Sequence, residues 1–268
     1  MQTIICFTSD FGIGDTWVGM CHAVIYRACP QARVVDLAHD VRPYDIRKAA
    51  AVAASGVWQL PDAIHLVVVD PGVGGGRMDL CLVTSQGTVL VGPDNGVLMP
   101  ATWRAGGILE AYAITPDALN YEGPLATFHA RDVLAPAAAA LACGVEPSAI
   151  GRPVDPGVLV PAPFAPAYEE GGTLVAEVID IDRFGSARLS VPAEEVENKL
   201  SRGQAAEVLF SHQRVEAPFG DTFSDVEEGE PVLLVDSSGW LTVAVRMGSA
   251  AELYQIEPGQ PCRVRVSH

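Results

Sequence analysis

The sequence predicts an α/β domain on a largely parallel sheet, followed by a smaller all-β domain, a barrel or a sandwich. Three observations predict it. From residue 1 to about 150, β-branched runs alternate with stretches of helical period. A stretch containing five prolines and no helical period then intervenes, GRPVDPGVLVPAPFAPAYEEGG. Beyond it only short strand-like runs remain. The expected divisions are residues 1–152, a linker at 153–172, and residues 173–268.

In order along the chain, TIICFTS is the first strand. DTWVGMCHAVIYRAC places Trp17, Cys21, Val24, Ile25 and Cys29 at helical spacing, with Asp15 as the expected N-cap. RVVDLA is a strand and DIRKAAAVAASGVWQL a helix. AIHLVVVD is continuously apolar up to its final aspartate apart from His65, the pattern of a strand buried on both faces. LCLVTS and TVLVGP flank Gln86-Gly87 as a strand pair about a turn, and RDVLAPAAAALACG is an alanine-rich helix. In the second half the strands are TLVAEVIDID, AAEVLF, PVLLVD, WLTVAV and CRVRVS, separated by Gly, Asp and Ser turns.

Composition narrows the function. Of 268 residues, 49% are hydrophobic and 19% charged, which excludes general disorder. With 17 Lys and Arg against 33 Asp and Glu the formal charge is −16. Such a field repels a phosphate backbone or an anionic membrane, so neither is an expected partner, whereas a small cationic or zwitterionic substrate is tolerated. Six widely spaced cysteines contain no C-x-x-C pair and read as small core residues in a reducing compartment. The first ten residues lack the features of a secretory signal, and no apolar run is long enough to span a membrane, so a soluble, cytoplasmic protein is expected.

In open α/β sheets ligands bind beyond the carboxyl ends of strands. Three segments there carry chemistry. The first strand ends in Ser9-Asp10-Phe11-Gly12, whose carboxylate either caps a turn or accepts a vicinal diol such as a ribose. The buried strand ends in Asp70, followed by PGVGGGR to Arg77. That loop matches neither phosphate-binding glycine pattern; it is either a turn closed by an Asp70–Arg77 pair or a place where a small molecule approaches the backbone. The third segment, TFHARD, offers His129 before the alanine-rich helix, as a core or capping residue or as a catalyst. His129 and Asp132 share an H-x-x-D spacing, yet no second His or Cys pair completes a ligand set, so no metal is expected. Nor is there a G-x-S-x-G nucleophile elbow.

Taken together, FTSDFGIGDTWVG, HDVRPYDI, VVDPGVGGGR, VGPDNGVL and TFHARDVLAPAAA closely resemble the S-adenosyl-L-methionine (SAM) hydroxide adenosyltransferases, SAM hydrolases related to the fluorinating and chlorinating enzymes. IDRFG, DTFSD, DSSGWL and GSAAELY extend the resemblance over essentially the whole chain. It implies an α/β domain followed by a β-barrel, and displacement of methionine from C5′ of the ribose by water or hydroxide, giving adenosine and L-methionine without a cofactor. It also implies homotrimers, with sites between the large domain of one subunit and the barrel of its neighbour.

The family's Asp, Arg, His triad falls on Asp70, Arg77 and His129. The halogenating relatives carry an aromatic residue where Asp70 stands, so the carboxylate favours hydrolysis. Two alternatives are a halide-dependent adenosyltransferase and a non-catalytic adenosine or SAM binding protein. Carried over position by position, Asp10 resembles the ribose-diol acceptor. Tyr44, Phe128 and Phe223 resemble the walls of the nucleoside site, and Asp182 the acceptor for the methionine ammonium. Asp15, Trp17 and Ser237 match positions at the methionine end. Phe184, Ser186, Arg246 and Met247 belong to the adenine-side segments. Here the chain departs from its relatives: Ser186 and Ser190 stand where F-G-N-x-x-T-N-I has asparagines, and Arg246 replaces an asparagine. A serine reaches less far than an amide and an arginine only donates, so adenine recognition is where this chain is expected to differ. Met78 also replaces an arginine that often follows the triad arginine.

Overall fold

A computed structural model describes residues 4–119, 127–196 and 199–266. Thr3 and Ser267, the outer residues of the first and last expected strands, lie outside that range. The chain divides into two compact units, Met1–Pro163 and Phe164–His268.

The first unit runs β1 (Ile4–Ser9), α1 (Trp17–Ala28), β2 (Arg33–Ala38), α2 (Ile46–Gln59), β3 (Ile64–Val68), β4 (Asp79–Thr84), β5 (Val89–Pro93), α3 (Met99–Arg104), β6 (Ile108–Ile114), α4 (Ala135–Ala142) and β7 (Gly151–Pro153). Its sheet has the order β2-β1-β3-β5-β4-β6-β7. The strands from β2 to β5 are parallel, as alternating strand and helix require; β4, β6 and β7 then extend the sheet antiparallel. The sheet is therefore mixed, its parallel half carrying the crossover helices α1 and α2.

Alternation along the strands sorts side chains to two faces. Ile5, Phe7, Ile64, Leu66 and Val91 pack with Cys21 and Ile25 of α1 and the alanines of α4. On the other face His65 meets α2, where a side chain on Gly56 would stand 2.6 Å from Leu37 and 3.2 Å from the His65 ring. Glycine is what lets this helix approach. Asp45 caps α2 by accepting the Lys48 N–H at 2.9 Å. The cap expected at Asp15 is not formed: α1 begins after Thr16, no side chain caps it, and Asp15 is exposed.

Two cysteines also depart from expectation. Cys29 and Cys143, at the C-terminal ends of α1 and α4, are joined as a disulfide across 114 residues of sequence. The other four are buried thiols, and burial pushes Cys6 up to about 11 and Cys21, Cys81 and Cys262 up to about 12. They are chemically quiet packing residues.

The second unit contains β8 (Tyr168–Glu170), β9 (Thr173–Ile181), β10 (Ala187–Pro192), α5 (Ala193–Val196), β11 (Ala205–Phe210), β12 (Arg214–Pro218), β13 (Pro231–Val235), β14 (Trp240–Val245), α6 (Ala250–Tyr254) and β15 (Pro261–Val266). The strands pair antiparallel in the order β12-β11-β15-β9-β10-β14-β13, with β8 on β9. A bridge from Phe219, just past β12, to Leu233 of β13 brings the two ends together, making a nearly closed barrel around Val178, Leu189, Val208 and Val243. Among the described residues no helix is long and apolar enough to cross a membrane.

His65 makes stability depend on pH. Burial pushes its pKa down to about 4, although Nε2 contacts the Leu60 carbonyl oxygen at 3.0 Å. The unfolded chain takes up this proton near pH 6.5 and the folded chain only near pH 4. Stability therefore falls as pH drops through that window, by about 3 kcal/mol in all. Denaturant midpoints at pH 7 and pH 4.5 should show a loss that a His65→Leu variant largely escapes; equal acid losses in the two proteins would remove His65 as the cause.

Candidate active site

The chain leaves β1 for β2 on one side, then crosses back over β1 to place β3 on its other side. That reversal opens a crevice at the carboxyl ends of β1 and β3, where Ser9 pairs with Val68. Asp10 and Asp70 follow these two ends. Ser9 itself is buried, with Oγ 2.7 Å from His39 Nδ1 and accepting the Phe11 N–H at 3.3 Å. His39 Nε2 lies 2.9 Å from Asp36, so a polar chain behind the crevice anchors the Asp10 turn. Asp10 in turn accepts the Tyr44 N–H at 2.9 Å, holding Tyr44 at φ 70° with its side chain outward.

Beyond Asp70 the chain turns through glycines, Gly74 at φ 77°, and returns Arg77 to Asp70. Arg77 Nε donates to both Asp70 oxygens at 2.9 Å, and Nη2 donates to Oδ2 as well. Nη1 donates to Asp79, the first residue of β4, and to the Met78 carbonyl at 3.1 Å. All three side chains are nearly enclosed, at 11% exposure for Arg77, 7% for Asp70 and 9% for Asp79. Burial alone would pull the guanidinium's pKa down, but the hydrogen bonds and charges of Asp70 and Asp79 outweigh it and hold Arg77 above its ordinary value. It is a fixed cation and cannot serve as a base.

His129 completes the cluster: Nδ1 lies 2.8 Å from Asp79 Oδ2 and 3.4 Å from Arg77 Nη2. It immediately precedes a π-helical turn, Ala130–Leu134, in which the Ala135 N–H reaches back to the Ala130 carbonyl. Pro136 accounts for that turn. It has no N–H to offer and its ring crowds the carbonyl four residues back, so the wider turn leads into α4.

A cavity of about 740 Å³ opens here, lined by Asp10, Trp17, Tyr44, Asp70, Phe128 and His129, and also by Phe11, Met20, Val73 and Arg131. Phe11 packs edge-on against both Phe128 and Trp17, with centroids 5.6 and 6.0 Å apart, and the Arg131 guanidinium lies 5.2 Å from the Phe128 ring centroid. An aromatic wall thus faces a carboxylate and imidazole floor. Sequence reasoning missed Asp79, Phe11 and Arg131. Phe11 and Arg131 lay inside motifs already singled out, whereas only the start of β4 reveals Asp79.

The remaining expected residues lie on the barrel. Asp182 Oδ1 accepts the Phe184 and Ser186 N–H groups at 2.8 and 2.9 Å, shaping the β9–β10 turn, with Phe184 exposed and Ser186 buried. That turn abuts the segment after β14, where Met247 is exposed and the Ala251 N–H donates to the Gly185 carbonyl. Arg246 spends one donor on the Val226 carbonyl at 2.7 Å, not far in sequence from Phe223. Ser237 sits in the β13–β14 turn, at the opposite end of β14 from Arg246 and Met247. Ser190 Oγ accepts the Glu177 N–H within the sheet.

Residues 5–151 match the family model of the SAM hydroxide adenosyltransferase N-terminal domain, and residues 176–263 that of its C-terminal domain. The chain belongs to this family. Among adenosyltransferase relatives, a protein of Salinispora arenicola named (R)-S-adenosyl-L-methionine hydrolase is 41% identical over 97% of each chain. A Thermus thermophilus protein of the same name is 37% identical over 97% of this chain and 98% of its own. Proteins named fluorinase are more distant, that of Nocardia brasiliensis being 26% identical over 99% of this chain and 97% of its own. A solved structure of an uncharacterized conserved protein from Thermotoga maritima has a TM-score of 0.87 at 29% identity, covering 97% of this chain and 99% of that one. The two-part architecture is that of the adenosyltransferase family.

Proposed function

We propose that this protein hydrolyses SAM to adenosine and L-methionine, with Asp70, Arg77 and His129 as its reacting-side residues. The observation that carries the reading is this buried cluster, whose Asp70 and His129 line an aromatic-walled cavity with Arg77 bonded to Asp70 behind them, in a chain so similar to named SAM hydrolases. An oxygen–C5′ bond forms as the C5′–sulfur bond breaks, and the sulfonium leaves as a neutral thioether that needs no general acid. The proton of water goes to a base in the cluster. Alignment of nucleophile, C5′ and sulfur within about 3–3.5 Å provides most of the acceleration, and neutralising a cation with an anionic nucleophile is favoured where water is excluded. Arg77 steadies developing hydroxide charge. Asp10 takes the ribose diol, with Tyr44 and Phe128 walling the nucleoside and Asp15 and Trp17 at the methionine end. Asp182, Phe184, Ser186, Phe223, Ser237, Arg246 and Met247 contribute from the barrel in a homotrimer, a state that light scattering tests. The cytoplasmic assignment, against which the Cys29–Cys143 disulfide stands, is tested by cell fractionation.

Purified protein incubated with SAM in H₂¹⁸O should release methionine and adenosine carrying ¹⁸O at the 5′ position. Folded protein that releases no adenosine above the uncatalysed rate overturns the reading. Adenosine binding without turnover would then indicate a binding protein. A 5′-halo-5′-deoxyadenosine formed with chloride or fluoride would indicate the halide route, which the carboxylate of Asp70 disfavours by repelling halide.

A further inference from the structure

We propose that Asp79 is a positioning residue of the hydrolytic site, setting the tautomer of His129 so that Nε2 is the proton acceptor. The inference rests on the hydrolase reading and goes beyond the three residues that reading uses. His129 Nδ1 has two neighbours that ask opposite things of it. Arg77 Nη2, which can only donate, would require a lone pair on Nδ1 from 3.4 Å. Asp79 Oδ2, which as a carboxylate only accepts, requires a proton there from 2.8 Å. The shorter, charge-assisted contact prevails, because a lone pair facing a carboxylate at that distance would be repelled.

Nδ1 is therefore the protonated nitrogen and the neutral ring carries its lone pair on Nε2. That atom is buried and, among the described residues, has no hydrogen-bond partner. His129 lines the cavity, as Asp70 does, and the enclosed Nε2 is the ring nitrogen left without a commitment, reached by water once the ring turns toward the cavity. Both Asp70 oxygens, by contrast, already accept from Arg77. A carboxylate that orients an imidazole through Nδ1–H and leaves Nε2 as base is a recurring catalytic arrangement. Asp79 suits the task because it begins β4: pairing opposite Pro93 fixes its backbone, and the Arg77 Nη1 bond fixes its other oxygen.

Two measurements test the assignment. In protein labelled with ¹⁵N-histidine, the His129 ring is identified by the signals that vanish in His129→Gln. At pH 8 the wild-type ring should show a protonated Nδ1 and an unprotonated Nε2; a ring protonated at Nε2 overturns the proposal. Asp79→Asn should lower kcat by on the order of 10²–10⁴-fold with KM changed less than about threefold, and should shift the ring toward the Nε2–H form. A folded Asp79→Asn protein with kcat within threefold of wild type overturns it as well. If that variant does not fold, the wild-type spectrum decides. Release of adenosine by the wild type tests the hydrolase reading separately.

Discussion

Arg77→Met should abolish nearly all adenosine release and cost the protein about 3–5 kcal/mol of stability. Arg77 is the only cation whose hydrogen bonds reach both Asp70 and Asp79 among the described residues, and those carboxylates are 7% and 9% exposed. Methionine fills similar volume and leaves two negative charges facing each other without solvent or counterion. Activity should fall on the order of 10³-fold or more, since a preorganised donor for developing charge goes and the orientation of Asp70 goes with it. Adding Asp70→Asn should recover part of the lost stability, by relieving the repulsion, and none of the activity. Chemical denaturation and adenosine release on the two proteins check this. A single variant as stable as wild type would show that the carboxylates find other partners; a double variant that regains turnover would remove both side chains from the mechanism.

Cys143→Ser should lower stability by roughly 3–5 kcal/mol, because the Cys29–Cys143 link removes the freedom of a long loop from the unfolded chain. For a unit of this size that is a fall in melting temperature of about 10 °C. Reductant should bring the wild type to the same value and leave the variant unmoved. The four remaining thiols are buried and held in their neutral form, so they do not compensate by exchange. Identical melting of wild type and variant in the absence of reductant would mean that the two sulfurs are not joined in solution.

What could be read from the chain and what could not divide along physical lines. The parallel strands and their helices were legible because burial on one or both faces leaves a period in the sequence. Asp10 and Asp70 stood out because a charge ending an apolar strand is costly unless it is used. Arg77 and His129 followed from motif resemblance; the structure places Arg77 against Asp70, and His129 against Arg77 and Asp79. Asp79 was invisible: its importance depends on where β4 begins and on a histidine 50 residues away. The Cys29–Cys143 pair was likewise unreadable, since spacing across 114 residues says nothing of which helix ends meet. The strands β6 and β7 escaped notice because ILEAYAI lacks a clean alternation of buried and exposed positions and GRP is a three-residue run. Asp15 was misassigned because Asp is a frequent cap, yet the helix starts two residues later without one.

The π turn at Ala130–Leu134 has one more bearing on the molecule. A regular helix advances about 100° per residue, so the residue accommodated there sets the phase between His129 and the alanine face that α4 buries against the sheet. Pro136, in the first turn of α4, is in this sense a timing mark: it sets which way the histidine looks when the alanines are seated. Chains that gain or lose one residue between the histidine and Pro136 would keep the flanking motifs and still aim the imidazole elsewhere. Alignments of this segment should accordingly be anchored on the proline and counted backward, with the histidine's offset from it taken as the conserved quantity to seek.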